Sequence, residues 1–168
     1  MSVKITQADL RKMEDEITHR SMVVRKEALE VVKEARAQGD LSENFEYKAA
    51  KQAKNRNESR IRYLEKVIKN AEIIEDTAAD DEIGVYKTVT LYFEDDDETD
   101  EYTIVSTMQA DSLLNRISIE SPLGKVLMKH RVGDRVHVNI NGQAGYDVIV
   151  KAIRPADDET LNAPLRSY

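Results

Sequence analysis

Two carboxylates, Asp40 and Glu43, stand three residues apart in the segment 39–47, GDLSENFEY. At a helix start, residues at this spacing lie about 5–6 Å apart on one face, so both side chains could approach one hard cation such as Mg²⁺. Two carboxylates are too few for a tight site, so further ligands would have to come from another molecule. The same spacing is typical of a capping box, in which side chains satisfy free backbone N–H groups. Spacing alone leaves both interpretations open.

The segment that follows these acids is basic. Residues 48–69 contain eight lysines and arginines against two acids, although the whole chain has a formal net charge of −7. Residues 1–75 carry 16 basic and 14 acidic side chains, and residues 76–168 carry 9 and 18. This distribution favours a local contact with a phosphate chain over general binding of nucleic acid. A solvated helix face is the alternative.

The elements that would position the acids are helices. Apolar residues recur at three- and four-residue spacing through 8–37 and again after Gly39, with Thr6 as the predicted N-cap and Gly39 as the end of the first helix. We expect residues 1–75 to form an antiparallel coiled-coil hairpin about 45 Å long, with its acidic tip at 39–47. The predicted apolar stripe comprises Leu10, Met13, Ile17, Val24, Ala28, Val31, Ala35, Ala50, Ala53, Asn57, Ile61, Leu64, Ile68 and Ala71.

The second half has the two-residue period of β-strands, which predicts an α+β protein with an antiparallel sheet in residues 84–155. The predicted strands are 85–93, 102–105, 136–140 and 146–150, with Asn141-Gly142 in a five-residue hairpin loop before the last. A short helix is predicted over 121–127, with Ser121 as its N-cap and Pro122 as its first residue. We expect residues 76–83 to be a linker and residues 156–168 to be a poorly ordered polar tail.

Several classes of function are disfavoured by composition. The chain has no cysteine, which removes disulfides, thiolate nucleophiles and Cys-ligated metals. No apolar run approaches the roughly 18 residues of a membrane span, and the first residues lack the apolar stretch of a signal peptide. We therefore expect a soluble, cytoplasmic protein with no membrane contact. The acidic run 94–101 is interpreted as a solvated loop, because it lacks the ligand order of a calcium loop.

The acidic tip resembles that of the bacterial Gre transcript cleavage factors, and the GreA type more than the GreB type. The resemblance extends over roughly residues 3–155 and includes the family's C-terminal signature, here ISIESPLG at 117–124 and VGD at 132–134. Further matching segments are 35–36, 49–51 and 60–64. The resemblance implies a coiled coil followed by a domain similar to the FKBP-type prolyl isomerase fold.

The resemblance also implies a mechanism in which RNA polymerase is the partner. The second domain would dock at the rim of the polymerase secondary channel, and the coil would enter that channel. Asp40 and Glu43 would then help the polymerase centre to retain a second Mg²⁺ and to position the water that cleaves the 3′ end of backtracked nascent RNA. The protein would activate polymerase without being an enzyme itself, would bind no cofactor tightly when free, and would be a monomer.

Further residue roles are implied by the same resemblance. We expect Phe45 and Tyr47 to pack the turn, with stacking on bases as the alternative. Supporting roles at the tip are expected for Ser42, Asn44, Glu46 and Tyr47, contacts with RNA for Arg36, Lys48, Lys51 and Lys54, and polymerase docking for Ser121, Pro122, Leu123 and Gly124. The alternatives are a channel regulator that inhibits polymerase, a prolyl isomerase and a chaperone-like coiled coil. Whether the released RNA is of GreA-type or GreB-type length stays open.

Overall fold

The computed structural model describes residues 2–39 and 44–166. The chain divides into two compact units. The first, here called the helical unit, comprises the residues up to Val3 and Leu10–Ala71. The second, the sheet unit, comprises Lys4–Asp9 and the chain from Glu72 onward. The α+β class expected from the two periodicities is confirmed.

The helical unit is an antiparallel pair of helical arms. Its elements are α1 (Gln7–His19) from Leu10 onward, a π-helical segment (Arg20–Val24), α2 (Arg25–Ala37) and α3 (Phe45–Lys69). Polar contacts join the arms, among them Glu16 with Arg60, Arg25 with Glu58 and Arg36 with Tyr47. In these pairs the first partner advances along the chain as the second retreats, which is the pattern of antiparallel neighbours. The predicted hairpin is confirmed.

The first arm is interrupted by one π-helical segment, which the periodicity did not predict. The N–H of Arg25 donates to the carbonyl of Arg20, five residues back. The same Arg20 carbonyl accepts a hydrogen bond of 3.1 Å from Asn57 Nδ2 on the facing arm, and Ser21 Oγ donates to the carbonyl of Ile17 at 2.7 Å. Side chains therefore hydrogen-bond to backbone carbonyls where the regular α-helical hydrogen bonds are interrupted.

Burial along the arms follows most of the predicted stripe. Met13, Ala35, Ala50, Asn57, Ile61 and Leu64 are buried, as the spacing predicts. Val31 is 53% exposed and Val32 is half-buried instead. Between positions 28 and 35, steps of four and then three residues, through Val32, fit a helical stripe as well as steps of three and then four, through Val31. Ala53 is exposed, and Val67 rather than Ile68 is buried.

The sheet unit is built on a five-stranded sheet in the order β5-β4-β3-β7-β6. Every neighbouring pair is antiparallel except β4 with β5, which are parallel, so the prediction of an antiparallel sheet is corrected at one edge. The strands of this sheet are β3 (Lys87–Phe93), β4 (Glu98–Val105), β5 (Arg116–Ser118), β6 (Arg135–Ile140) and β7 (Gln143–Pro155). Two further short strands, β1 (Val3–Ile5) and β2 (Ala71–Ile73), pair with each other.

The core of the sheet unit consists of aliphatic side chains from the strands, from the short helix α4 (Pro122–Leu127) and from the connections beside them. Ile83, at the end of the predicted linker 76–83, is fully buried in this core. Phe93 packs against it with Tyr102 and Tyr146, and the Phe93 ring centroid lies 6.0 and 5.8 Å from theirs. Among the core residues are Val85, Val89, Leu91, Ile104, Leu127, Val136, Val138, Val148 and Val150.

The hairpin between β6 and β7 is tighter than predicted. Ile140 pairs with Gln143, so Asn141 and Gly142 alone form the connection instead of a five-residue loop. Both residues have positive φ, 45° and 77°, as a type I′ turn requires. The predicted loop over the acidic run 94–101 is also shorter than expected, because β4 begins at Glu98.

The prediction of a poorly ordered tail is wrong for residues 156–166. A short helix, α5 (Asp158–Leu161), forms there with the Asp157 side chain as its N-cap. Ala163 and Leu165 are buried beyond it. The N–H of Arg166 donates to the carbonyl of Met108 at 2.9 Å, and Gln109 Nε2 donates to the carbonyl of Ala163 at 3.2 Å. The tail is thereby fixed to the 3₁₀ turn Thr107–Gln109.

A buried polar contact also lies within the sheet unit. Thr6 caps α1 as predicted, with Asp9 N–H donating to its hydroxyl at 3.2 Å, and the Asp9 carboxylate accepts in return from Thr6 N–H at 3.0 Å. The fully buried Asp9 accepts a short hydrogen bond from the hydroxyl of Tyr86, whose backbone has a φ of 61°. Burial, followed by this contact with Asp9, raises the pKa of the Tyr86 phenol.

Within residues 2–39 and 44–166, no helix combines the length and the apolar character that crossing a membrane requires.

Candidate functional site

The candidate site is the connection between α2 and α3. Asp40 and Glu43, the predicted metal-binding acids, lie outside the described residues, as does Ser42. The residues that flank them, Gly39 and Asn44, are described. The site is therefore defined here by the ends of the two helices from which the acids are carried.

Asn44 holds the two helix ends together. Its Oδ1 accepts a hydrogen bond of 3.0 Å from the N–H of Tyr47, which makes Asn44 the N-cap of α3. Its Nδ2 donates to the carbonyl of Ala35, in the last turn of α2, at 2.7 Å. One side chain therefore satisfies a free N–H of one helix and a carbonyl of the other. The capping-box interpretation places the N-cap at Asp40, but the N-cap of α3 is Asn44, four residues later.

Tyr47 and Arg36 form a second link between the helix ends. The Arg36 guanidinium lies over the Tyr47 ring, 5.6 Å from its centroid, and donates a hydrogen bond of 3.3 Å to the Tyr47 hydroxyl. This hydrogen bond is the main cause that lowers the pKa of the Tyr47 phenol, and the positive charges of Lys51 and Lys54 act in the same direction. The face of the hairpin around the Tyr47 hydroxyl is therefore positively charged.

Phe45 does not pack the turn as predicted. As the first residue of α3 it is 79% exposed, and the ammonium of Lys48 lies 5.6 Å from the centroid of its ring. Tyr47, in contrast, is half-buried against Arg36. Glu46, for which the resemblance implies a supporting role at the tip, is exposed on the first turn of α3.

The predicted RNA-contacting cations occupy the first turns of α3 and the last turn of α2. Lys48 and Lys51 are exposed and Lys54 is half-buried, whereas Arg36 is exposed and engaged with Tyr47. Further along α3, the buried Arg60 does not belong to this surface. Its guanidinium donates to both carboxylate oxygens of Glu16, at 2.8 and 3.3 Å. Thus Arg60 is engaged inside the hairpin, whereas Lys48 and Lys51 face solvent.

The predicted docking residues lie at the start of α4, and most of them have evident structural roles. Ser121 Oγ accepts from the N–H of Gly124 at 3.0 Å and donates to the carbonyl of Ser118 at 2.6 Å. A Cβ on Gly124 would lie 2.0 Å from that same carbonyl oxygen, so only glycine fits. Leu123 packs against the core, and Pro122 alone of the four is exposed.

No metal site is complete within the part of the chain that the structure describes. No group of three or more His, Asp or Glu side chains in residues 2–39 and 44–166 is arranged to hold an ion. Asp40 and Glu43 fall outside this search. Carboxylate oxygens suit Mg²⁺, but two residues supply fewer than the six ligands that the ion prefers.

Comparison with known proteins places both units in one family. Residues 3–73 match the family model described as "Transcription elongation factor, N-terminal", and residues 78–155 match "Transcription elongation factor, GreA/GreB, C-term". Together the two models account for most of the chain. The tail that follows residue 155, including α5, lies outside both.

Individual relatives match over nearly their full length. The chain is 41% identical over 150 residues to the transcription elongation factor GreA of Acholeplasma laidlawii, covering 89% of this chain and 95% of that protein. It is 44% identical over 139 residues to GreA of Thermoanaerobacter pseudethanolicus, covering 82% and 88%. Among solved structures, GreA factor homolog 1 of Thermus thermophilus is 29% identical, with 92% and 99% coverage and a TM-score of 0.42.

Proposed function

Because this chain belongs to the GreA/GreB family of transcription elongation factors, we propose that it rescues RNA polymerase that has backtracked, by stimulating cleavage of the extruded 3′ end of the RNA. The helical unit would enter the secondary channel of polymerase, and the sheet unit would dock at the rim of that channel. The polymerase supplies the rest of the catalytic centre, so the chain acts as an activator and not as a separate enzyme.

The observation that carries this proposal is the construction of the hairpin end. Asn44 bonds the start of α3 to the last turn of α2, and the Arg36–Tyr47 pair adds a second link beside it. The chain between Arg36 and Asn44 contains only residues 37–43, with Asp40 and Glu43 among them. Two acids carried on a short connection between two fixed helix ends are suited to delivery into a confined site.

The acids would act by completing a metal site that polymerase provides in part. A second Mg²⁺, held between the polymerase centre and Asp40 and Glu43, would activate water and stabilise the leaving oxygen. The two side chains, three residues apart in the sequence, supply carboxylate oxygens, the kind of ligand that Mg²⁺ prefers. The carboxylates would also accept hydrogen bonds from the attacking water and so orient it.

The basic residues beside the tip would hold the RNA. Lys48 and Lys51 are exposed on the first turns of α3, and their ammonium groups can reach phosphate oxygens. Arg36 is oriented by Tyr47, so its guanidinium is already positioned before RNA arrives. The net charge of −7 disfavours general adhesion to nucleic acid, so this contact depends on docking to polymerase first.

The proposal is tested by adding the protein to an elongation complex that is stably backtracked, in the presence of Mg²⁺, and sizing the labelled RNA. We expect short fragments to be released from the 3′ end and elongation to resume when nucleotides are supplied. Unchanged RNA and continued arrest, with the protein bound to polymerase, would contradict the proposal and favour the inhibitory alternative.

A further inference from the structure

Phe45 has the position and the surroundings of a stacking platform. It is the first residue of α3, and its ring is 79% exposed. Phenylalanine is a weaker helix former than alanine, and exposing so large an apolar side chain yields little burial energy. The hairpin is closed at this level by Asn44 and by the Arg36–Tyr47 pair, so the ring of Phe45 is not what closes it.

A cation lies beside this ring. Lys48 follows Phe45 by three residues, a step at which helix residues are neighbours about 5–6 Å apart. The Lys48 ammonium lies 5.6 Å from the centroid of the Phe45 ring, whereas the charges of Lys51 and Lys54 act on the hydroxyl of Tyr47, on another side of the helix. An aromatic face beside a positive charge matches the chemistry of single-stranded nucleic acid, which presents a base face beside its phosphates.

Few residues separate Phe45 from the acids that are predicted to act in the reaction. Phe45 stands two residues after Glu43, so their Cα atoms can be no more than about 7 Å apart. An unpaired base next to the bond to be cleaved would lie within reach of the ring. A base seated there would fix the RNA relative to the acids and reduce the motion that competes with reaction.

We propose that Phe45 is a positioning residue that stacks on an unpaired base of the extruded RNA, while the Lys48 ammonium beside the ring contacts a phosphate of the same strand. This inference rests on the proposed cleavage function. The contact should not depend on the RNA sequence, because every base can stack and no side chain hydrogen-bonds to the base edges. Loss of one stacked base corresponds to a loss in rate of roughly fivefold or more.

The test uses the full chain on a complex backtracked by two nucleotides. Three variants are compared with the wild type: Phe45→Ala, Phe45→Leu, which is apolar without a ring, and Phe45→Trp, which keeps an aromatic face. Met22→Ala is the matched control, since Met22 is also on the helical unit and is 71% exposed. Circular dichroism checks that each variant keeps its helices.

Each variant is assayed on normal RNA and on RNA whose two extruded nucleotides are abasic. We expect Phe45→Ala and Phe45→Leu to lower the cleavage rate about fivefold or more on normal RNA, and Phe45→Trp and Met22→Ala to match the wild type. On abasic RNA the wild type should fall to the rate of Phe45→Ala.

Two results would overturn the inference. Equal rates for Phe45→Ala and wild type on normal RNA would show that the ring makes no productive contact. A loss in Phe45→Ala that persists undiminished on abasic RNA would show that the ring contacts polymerase instead of a base. If the wild type itself releases no RNA, the proposed cleavage function fails, which is a distinct result from either of these.

Discussion

The Nδ2 atom of Asn44 lies 2.7 Å from the carbonyl oxygen of Ala35, so a single amide joins the two helices on either side of the acidic connection. The Oδ1 atom of the same side chain caps α3 by accepting from Tyr47 N–H. An amide can do both because it carries a donor and an acceptor, which neither a carboxylate nor a hydroxyl of this length offers in the same geometry.

Asn44→Ala removes both hydrogen bonds, and we expect it to lower the free energy of unfolding of the helical unit by about 1–2 kcal/mol. Asn44→Asp keeps the cap but replaces the donor to Ala35 with a second acceptor, so it separates the two roles. If the cross-arm bond positions the acids, Asn44→Asp should retain helicity by circular dichroism and still lose most of the RNA cleavage rate. Full cleavage by Asn44→Asp would show that the cap alone suffices.

The Glu16–Arg60 ion pair predicts a pH dependence of stability. Burial on its own raises the pKa of Glu16, but the hydrogen bonds and charges of Arg60 and Arg20 outweigh it and lower this pKa below its usual value of 4.5. A carboxylate with a lowered pKa in the folded state stabilises the fold above the unfolded pKa. That stabilisation is lost as the pH falls below about 4.5 and through the folded pKa.

Thermal unfolding followed at 222 nm at pH 7 and pH 3.5 measures this effect. Glu16→Gln should lower stability by about 1–2 kcal/mol at pH 7 and by less at pH 3.5. Glu14→Gln, at an exposed position of the same helix, is the control and should leave stability nearly unchanged at pH 7. An equal effect of Glu16→Gln at both pH values would contradict the assignment of the ion pair.

The hairpin and its polar contacts differ in how well the sequence predicts them. Thr6, Gly39 and the three- and four-residue spacing indicate the two arms because caps and apolar stripes are local signals. The burial of Arg60 and the π-helical segment at Arg20 depend on partners 37 or more residues away, which periodicity does not report. At 31 and 32, two valines compete for one seam position and spacing cannot choose between them.

The sheet unit shows the same division. Ser121-Pro122 predicts the start of α4 correctly, because both residues act locally. The parallel pairing of β4 with β5 is a long-range contact between short strands, and the tail after residue 155 looks polar although Ala163 and Leu165 are buried. At the candidate site, the sequence does not predict the exposure of Phe45, because the turn is closed without it by long-range contacts of Asn44 and Arg36.

The cations near the tip should matter for RNA cleavage and those far from it should not. Lys51→Gln removes an exposed charge near Tyr47, and we expect it to raise the protein concentration needed for half-maximal cleavage by roughly threefold to tenfold, with a weaker dependence on salt. Lys66→Gln is the matched control, because Lys66 is an exposed lysine in the last turn of the same helix. Equal effects of the two substitutions would contradict a local contact with RNA.

The tail should contribute to the stability of the sheet unit. Leu165 is 9% exposed, so Leu165→Ala should cost about 2 kcal/mol, whereas Leu161→Ala, at a position 41% exposed, should cost less than half as much. Calorimetric unfolding of the full chain measures both. Equal and negligible effects would show that the packing of the tail on Met108 and Gln109 adds nothing to stability.

The most direct test of the central claim, that the tip acids help polymerase to retain a magnesium ion, is a titration of the RNA cleavage rate with Mg²⁺. Wild type, Asp40→Asn and Glu43→Gln are compared on one backtracked complex, with binding to polymerase measured in parallel. We expect each variant to bind polymerase normally and to need at least about tenfold more Mg²⁺ for half-maximal cleavage, as a loss of one carboxylate ligand implies. The same Mg²⁺ midpoint as wild type in both variants would contradict the account.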